Sequence, residues 1–368
     1  MKMKIKFKKK DFLKAIKVGG KFAVGQKVLP ILDCVKITVV DWTCWILSYD
    51  FRNAIKINCP VESDNESIMF CINRKDIEEY VSLIDDESFE IDVDNDSLLA
   101  TIYTSNGTVT YPLYDAKEFP ALSQEVNCDT FQIDAGLLAY WIQKGAPFLI
   151  NDDMQRNNEN MHIFIKDGKI DVFFFNRDIM YHDSAETTFE GELKMPVNRN
   201  SFLGITAALS QEKTVTIKNG SRNIVIIGDD TMLMIRKDEF VQNNYYQLLN
   251  YVPILEITVD REKLLRAVMK AMNVTDNMKM GTITIKYSEG KLELFSERIE
   301  VNKRMEETIE AEGGKPFEQT YMTHKLRLAL STLRSEKVIL KPAGANALLT
   351  ICNPDYETEQ TFISPCRE

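Results

Sequence analysis

Two hydrophobic periods alternate along the chain. Short segments place apolar residues at every second position, as strands with one buried face do. Between them lie stretches of helical spacing. Ile77, Tyr80, Val81 and Ile84 fall at i, i+3, i+4 and i+7, and Leu264, Leu265, Val268, Met269 and Met272 make one stripe. Asp167-Gly168, Asn219-Gly220 and Asn106-Gly107 carry tight-hairpin turn chemistry. Ile163–Ile165 with Lys169–Phe175, and Thr282–Tyr287 with Lys291–Phe295, read as paired hairpin strands.

The pattern also repeats. The apolar pairs Phe12-Leu13, Leu137-Leu138 and Leu264-Leu265 recur about 125 residues apart, and so do the helix starts at Asn73, Asn198 and Thr323. Two independent markers thus give one period with two helices in each repeat. The six predicted helices cover residues 8–21, 74–84, 134–144, 198–210, 260–272 and 324–335. The expected architecture is α+β, with three similar domains of two helices packed on antiparallel sheet. Boundaries near Gln124–Asp129 and Asn250–Leu255 give domains 1–125, 126–253 and 254–368.

Composition narrows the class. The 368 residues are 44% hydrophobic and 27% charged, which excludes collagen-like, coiled-coil and disordered chains. No apolar run approaches the roughly 18 residues of a membrane span. Asp11, Lys14 and Lys17 interrupt what would have to be the core of a secretory signal. The seven cysteines are scattered and never in a CxxC pair, so they read as reduced, mostly core thiols of a cytoplasmic protein.

Charge changes the picture further. The net charge is −10, yet the six predicted helices carry 17 basic and 7 acidic residues. Helix propensity favours glutamate as much as lysine and does not predict that split. Helices sharing one face would attract a polyanion there, and the acidic remainder would repel it.

Catalytic signatures are absent from the sequence. His162, His182 and His324 stand in no metal-ligand spacing, and no nucleophile elbow, phosphate loop or dinucleotide fingerprint occurs. Asp92–Asp96 begins like a calcium loop but has Ser97 at the sixth position and Tyr103 at the twelfth, so a hairpin turn is expected. Asp85-Asp86, Asp152-Asp153 and Asp229-Asp230 read as solvated turn residues. Met3–Lys8 reads as a strand with a lysine face, kept soluble at a sheet edge by charge. Trp42, Trp45 and Trp141 are assigned to core or interface rather than to base stacking.

Several stretches, in order along the whole chain, carry a resemblance. They are Leu29-Pro30-Ile31-Leu32 before the strand Val35–Val39, Glu118-Phe119-Pro120-Ala121-Leu122, Tyr251-Val252-Pro253, and the ending Thr361-Phe362-Ile363-Ser364-Pro365-Cys366-Arg367. With the threefold repeat and its basic helices, the chain resembles the bacterial sliding clamp family, the beta subunit of DNA polymerase III. The resemblance implies a head-to-tail homodimer closed into a ring of six domains, with helices lining the hole. It implies sequence-independent binding of double-stranded DNA, and tethering of the polymerase alpha subunit and the clamp loader through short peptides. It implies a non-catalytic processivity factor of DNA replication, with no cofactor, no metal and no membrane partner.

Residues carry over by position. Lys27, Arg156, Arg199, Arg266 and Lys279 are the implied DNA contacts, although Gln26 stands at the usual arginine position. Pro253, Met180, Ile363, Pro365, Cys366 and Arg367 are implied for the peptide groove. Val109 and Tyr111 would meet the helix end around Val274 of a second copy. Two departures stand out. Arg177-Asp178-Ile179-Met180 replaces a Gly-His-Arg-Leu-like stretch, and the sequence ends on Glu368 with Cys366 in place of a larger apolar residue. One rival reading is a clamp-fold interaction protein that does not encircle DNA. Another is an enzyme whose site is assembled between repeats.

Overall fold

The computed structural model describes residues 2–23, 29–63, 67–123, 127–149, 160–210, 212–238, 245–276, 281–343 and 348–366. Among them are seven α-helices: α1 (Lys9–Gly19), α2 (Arg74–Leu83), α3 (Ala135–Gly145), α4 (Phe202–Leu209), α5 (Tyr245–Leu249), α6 (Arg261–Val274) and α7 (Thr323–Thr332). Six stand where the periodicity predicts; α5 is additional. Helix starts are fixed by side chains that take up backbone N–H groups the helix itself leaves open. Asn73 accepts from the amides of Lys75 and Asp76 before α2, at 2.9 and 3.2 Å. Asp134 and Asp260 do the same for Leu137 of α3 and Lys263 of α6, at 2.7 and 2.8 Å. No helix among the described residues is long and apolar enough to cross a membrane.

By contact the chain divides into two compact units, residues 1–140 with 200–238 and residues 141–199 with 239–368. The division follows hydrogen-bonded sheets rather than sequence repeats. In the first unit an eight-stranded sheet joins Thr231–Arg236 to Asn53–Pro60 in antiparallel register, from Thr231 opposite Ile57 to Ile235 opposite Asn53. In the second, a twelve-stranded sheet joins Ile179–Glu186 to Tyr356–Ile363, with Ile179 opposite Ile363 and Met180 opposite Phe362. Strands of the middle repeat therefore serve both sheets.

The first unit packs α1 and α2 with its two sheets around one core that includes Ile5, Phe7, Phe12, Ile16, Ile46, Phe70 and Phe89. The rings of Phe7 and Phe12 meet edge to face at 4.8 Å. Burying each such side chain contributes roughly 1.5–3 kcal/mol relative to exposure.

The predicted hairpins form. Asn160–Lys166 pairs Lys169–Asn176 across Asp167-Gly168, both at positive φ (52° and 74°). Such a turn matches strand twist, and glycine adopts it without strain. Asp92–Asp96 also lies in a hairpin, where the Asp94 carboxylate accepts from the amides of Asp96 and Ser97 at 3.1 and 3.4 Å.

One expectation is corrected. Lys2–Lys8 is not an edge strand, because Ser88–Asp94 lies on one side and Glu62–Ser63 on the other. Its lysine face is matched by acids across the strands. Lys4 is opposite Asp92, Lys6 is opposite Glu90, and the Lys6 ammonium lies 3.1 Å from Glu62. Opposite charges directly across a ladder stabilise the pairing that like charges would disfavour.

Candidate peptide groove and nucleic-acid interface

In the second unit, strands Asn160–Lys166, Lys169–Asn176, Ile179–Glu186 and Tyr356–Ile363 lie side by side. Cross-strand register sorts their side chains into two faces, since successive residues alternate. His162, Phe173 and His182 share one face, and so do Phe164 with Asp171 and Phe175 with Met180 and Phe362. Phe164, Phe173, Met180 and Phe362 form a buried cluster, covered by Phe175 and by Tyr246, Leu248 and Leu249 of α5 and its end. Met180, implied for the groove by resemblance, is thus a floor residue, only 1% exposed. Ile363 is one residue on from Phe362 and so belongs to the opposite face, buried completely. Pleat alternation puts Phe362, not Ile363, beside Met180.

A polar cluster stands on the same floor. The His182 Nε2 lies 2.8 Å from Asp171 Oδ1, and the Lys169 ammonium lies 3.0 Å from that oxygen. The Tyr246 hydroxyl donates to Asp171 Oδ2 at 3.1 Å. Burial alone would raise the Asp171 carboxyl, but the hydrogen bonds from His182 and Lys169 outweigh it and hold the group below its ordinary value. Burial, and then the neighbouring carboxylate, push the Tyr246 phenol upward. This cluster was not anticipated. Its trace in the sequence is Asp171, which alternation places on the same strand face as Phe173 and Phe175, and the apolar run Tyr245-Tyr246-Gln247-Leu248-Leu249.

The chain's ending is tied to the tip of the neighbouring hairpin. Ser364 donates its amide to the Asp178 carbonyl at 2.8 Å, and Cys366 donates to the Thr320 carbonyl at 2.9 Å. The Asp178 carboxylate pairs at 2.8 Å with Lys325 of α7, whose side chain is 9% exposed. Pro365 and Cys366 are half-buried, and burial raises the Cys366 thiol. Pro253 is exposed within an apolar stretch in which Val252 is 79% exposed. Arg367 lies outside the described residues, as do Lys27, Arg156 and Lys279.

Of the implied DNA contacts that are described, Arg266 is exposed on α6 together with Lys263 and Lys270, at one helical face opposite the buried Leu264, Ala267, Val268 and Ala271. Lys270 also pairs with Glu307 at 2.9 Å. Arg199 is half-buried and donates to the Leu149 carbonyl at 2.9 Å. In the first unit, Lys10, Lys14 and Lys17 make a comparable exposed stripe on α1. The helical charge is concentrated, because Lys75 of α2 is offset by Glu79 at 3.8 Å and α4 carries no charged residue. Spaced lysines and arginines on a helix face meet phosphates without reading bases.

Val109 and Tyr111 are half-buried on Gly107–Pro112, which ends the five-stranded sheet of the first unit. Val274, also half-buried, is the last residue of α6 in the second unit. Among the described residues Gly107–Pro112 pairs only with Leu99–Thr104. Lys303–Gly313 likewise pairs on one side along most of its length, with Ile257–Asp260 reaching only residues 311–313.

Comparison with known proteins gives a concordant result. The family described as DNA polymerase III beta subunit, N-terminal domain, matches residues 3–123. No curated protein matches the sequence. Among solved structures, a sliding clamp of Pseudomonas aeruginosa bound to griselimycin is 15% identical with a TM-score of 0.92, covering 100% of both chains. A DNA polymerase sliding clamp of Bacillus subtilis is 17% identical with a TM-score of 0.90, again over 100% of both. The beta subunit of DNA polymerase III from Thermotoga maritima is 16% identical with a TM-score of 0.88 over the same full coverage.

Proposed function

We propose that this protein is a DNA sliding clamp, because residues 3–123 match the family of the DNA polymerase III beta subunit, N-terminal domain, and the whole chain takes the sliding-clamp fold. The reading is carried by one observation: the likeness in fold covers 100% of this chain and 100% of each of these neighbours, through all three repeats. The clamp acts as a homodimeric ring around double-stranded DNA and holds a replicative polymerase on its template. It makes and breaks no covalent bond itself.

The physics of the chain suits that role. Phosphate contacts from Lys10, Lys14 and Lys17 on α1, and from Lys263 and Arg266 on α6, favour no sequence register, so the ring can slide. Retention on DNA then comes from topology rather than affinity. Val109 and Tyr111 on one unpaired strand edge, and the α6 end at Val274, supply apolar surface for closing the ring. Partner peptides dock at the floor around Met180 and Phe362, beside Pro365 and Cys366.

The decisive experiment loads the protein onto nicked circular DNA with a clamp loader and then linearises the circle. Retention on the circle and release from the linear form are expected. Equal retention on both would instead indicate a clamp-fold protein bound to the DNA surface.

A further inference from the structure

We infer that α5 is a lid, latched by Tyr246 to Asp171, that occupies the apolar floor of the peptide groove until a partner displaces it; this rests on the peptide-docking role proposed above. The floor is filled by the chain itself. The Tyr246 ring stands edge-on to Phe164 and Phe173, at 5.6 and 5.5 Å between centroids, and Leu248 and Leu249 pack on the same cluster. Met180 and Phe362 beneath are only 1% and 3% exposed. An incoming apolar side chain therefore has no floor to reach while α5 is seated.

The hold on α5 is narrow. A helix of five residues has little stability of its own and depends on what it packs against. Among the described residues, the polar side-chain part of that packing is the phenol-to-carboxylate hydrogen bond at 3.1 Å. Asp171 is fixed independently of α5 by His182 and Lys169, so the catch stays in place when the tongue leaves. Segments held by few contacts open locally at low free-energy cost, without unfolding of the whole. A partner that binds only the open form then has its apparent affinity reduced by the fraction of time the lid is open.

Tyr246→Phe tests the latch, because it removes the hydroxyl and keeps the ring. Two readouts on the full chain separate the lid from the groove: binding of the apolar dye anilinonaphthalene sulfonate, and fluorescence-anisotropy titration with a labelled synthetic hexapeptide ending in Leu-Phe. The expected result is more dye bound and a peptide affinity roughly ten-fold tighter than wild type, as loss of a hydrogen bond to a charged group would give. Leu248→Ala, which loosens the lid through its apolar side, should move both readouts the same way. Dye and peptide binding equal to or weaker than wild type in both variants would overturn the lid. Increased dye with no peptide binding to any form would keep the lid and overturn the docking role.

Discussion

The two faces of the strand pair Lys169–Asn176 and Ile179–Glu186 both bury carboxylates, and they satisfy them differently. On the face opposite α5, Asp183 accepts from the Trp141 indole at 2.9 Å and from the Ser184 amide at 2.8 Å. Nearby, Glu359 accepts from the Tyr181 hydroxyl at 3.2 Å and Asn353 Nδ2 at 2.9 Å, with the Lys144 ammonium at 3.4 Å. The two acids are closed off by Trp141 and Lys144 of the eleven-residue α3, the Lys144 side chain being only 6% exposed. On the other face Asp171 relies on His182, Lys169 and a phenol from a five-residue helix. One face is built to stay shut. The other is closed by a part that can leave.

The largest test of that contrast is Glu359→Ala, which takes the carboxylate away from the buried Lys144 ammonium and leaves it the neutral Thr332 carbonyl. A loss of about 3–5 kcal/mol is expected, read from the urea midpoint of unfolding. Trp141→Phe keeps a buried aromatic ring but withdraws one donor from Asp183, and should cost about 1.5–3 kcal/mol by the same measurement.

The two buried aspartates should next respond to pH with opposite sign. Asp171 is held below its ordinary value, so its contribution is fully present above the unfolded value and is lost as pH falls through the lower folded one. Asp183 is raised, by burial first, despite its hydrogen bonds. Its folded form keeps the proton longer, so stability is lost as pH rises from the unfolded value through the raised one. Melting temperatures from pH 3 to 7 should show the deficit of Asp171→Asn growing with pH, and Asp183→Asn gaining on wild type. Parallel curves would break the contrast.

The smallest effect belongs to the hairpin tip. Arg177 sits at φ 41°, a region that side chains with a Cβ enter at a cost. Arg177→Gly should stabilise by up to about 1 kcal/mol, visible as a small rise in melting temperature.

Much of the fold was legible because it is written in periodicity. Repeated apolar pairs and the recurring helix starts at Asn73, Asn198 and Thr323 locate six helices, and Asp167-Gly168 locates a hairpin. Partnership between distant strands is not legible, so Met3–Lys8 reads as an edge although Glu62–Ser63 lies beside it. At the candidate groove, positional resemblance names both Met180 and Ile363, which pleat alternation puts on opposite faces, since resemblance carries no information about which face a residue takes. The α5 turn was missed for a physical reason: five residues are too few to show a helical period. Tyr246 and Asp171 are 75 residues apart in sequence, and only the folded sheet brings them together.

The sharing of the middle repeat between two sheets has a consequence for how the protein is made. Strand Asn53–Pro60 has no neighbour on one side until Thr231–Arg236 has been synthesised. At ribosomal speeds of roughly 5–20 residues per second, that interval is on the order of ten to forty seconds. During this time a nascent sheet edge with buried-type residues such as Ile55 and Ile57 awaits its own chain. Translation rate across the middle repeat, or a chaperone that shields that edge, therefore becomes a determinant of yield.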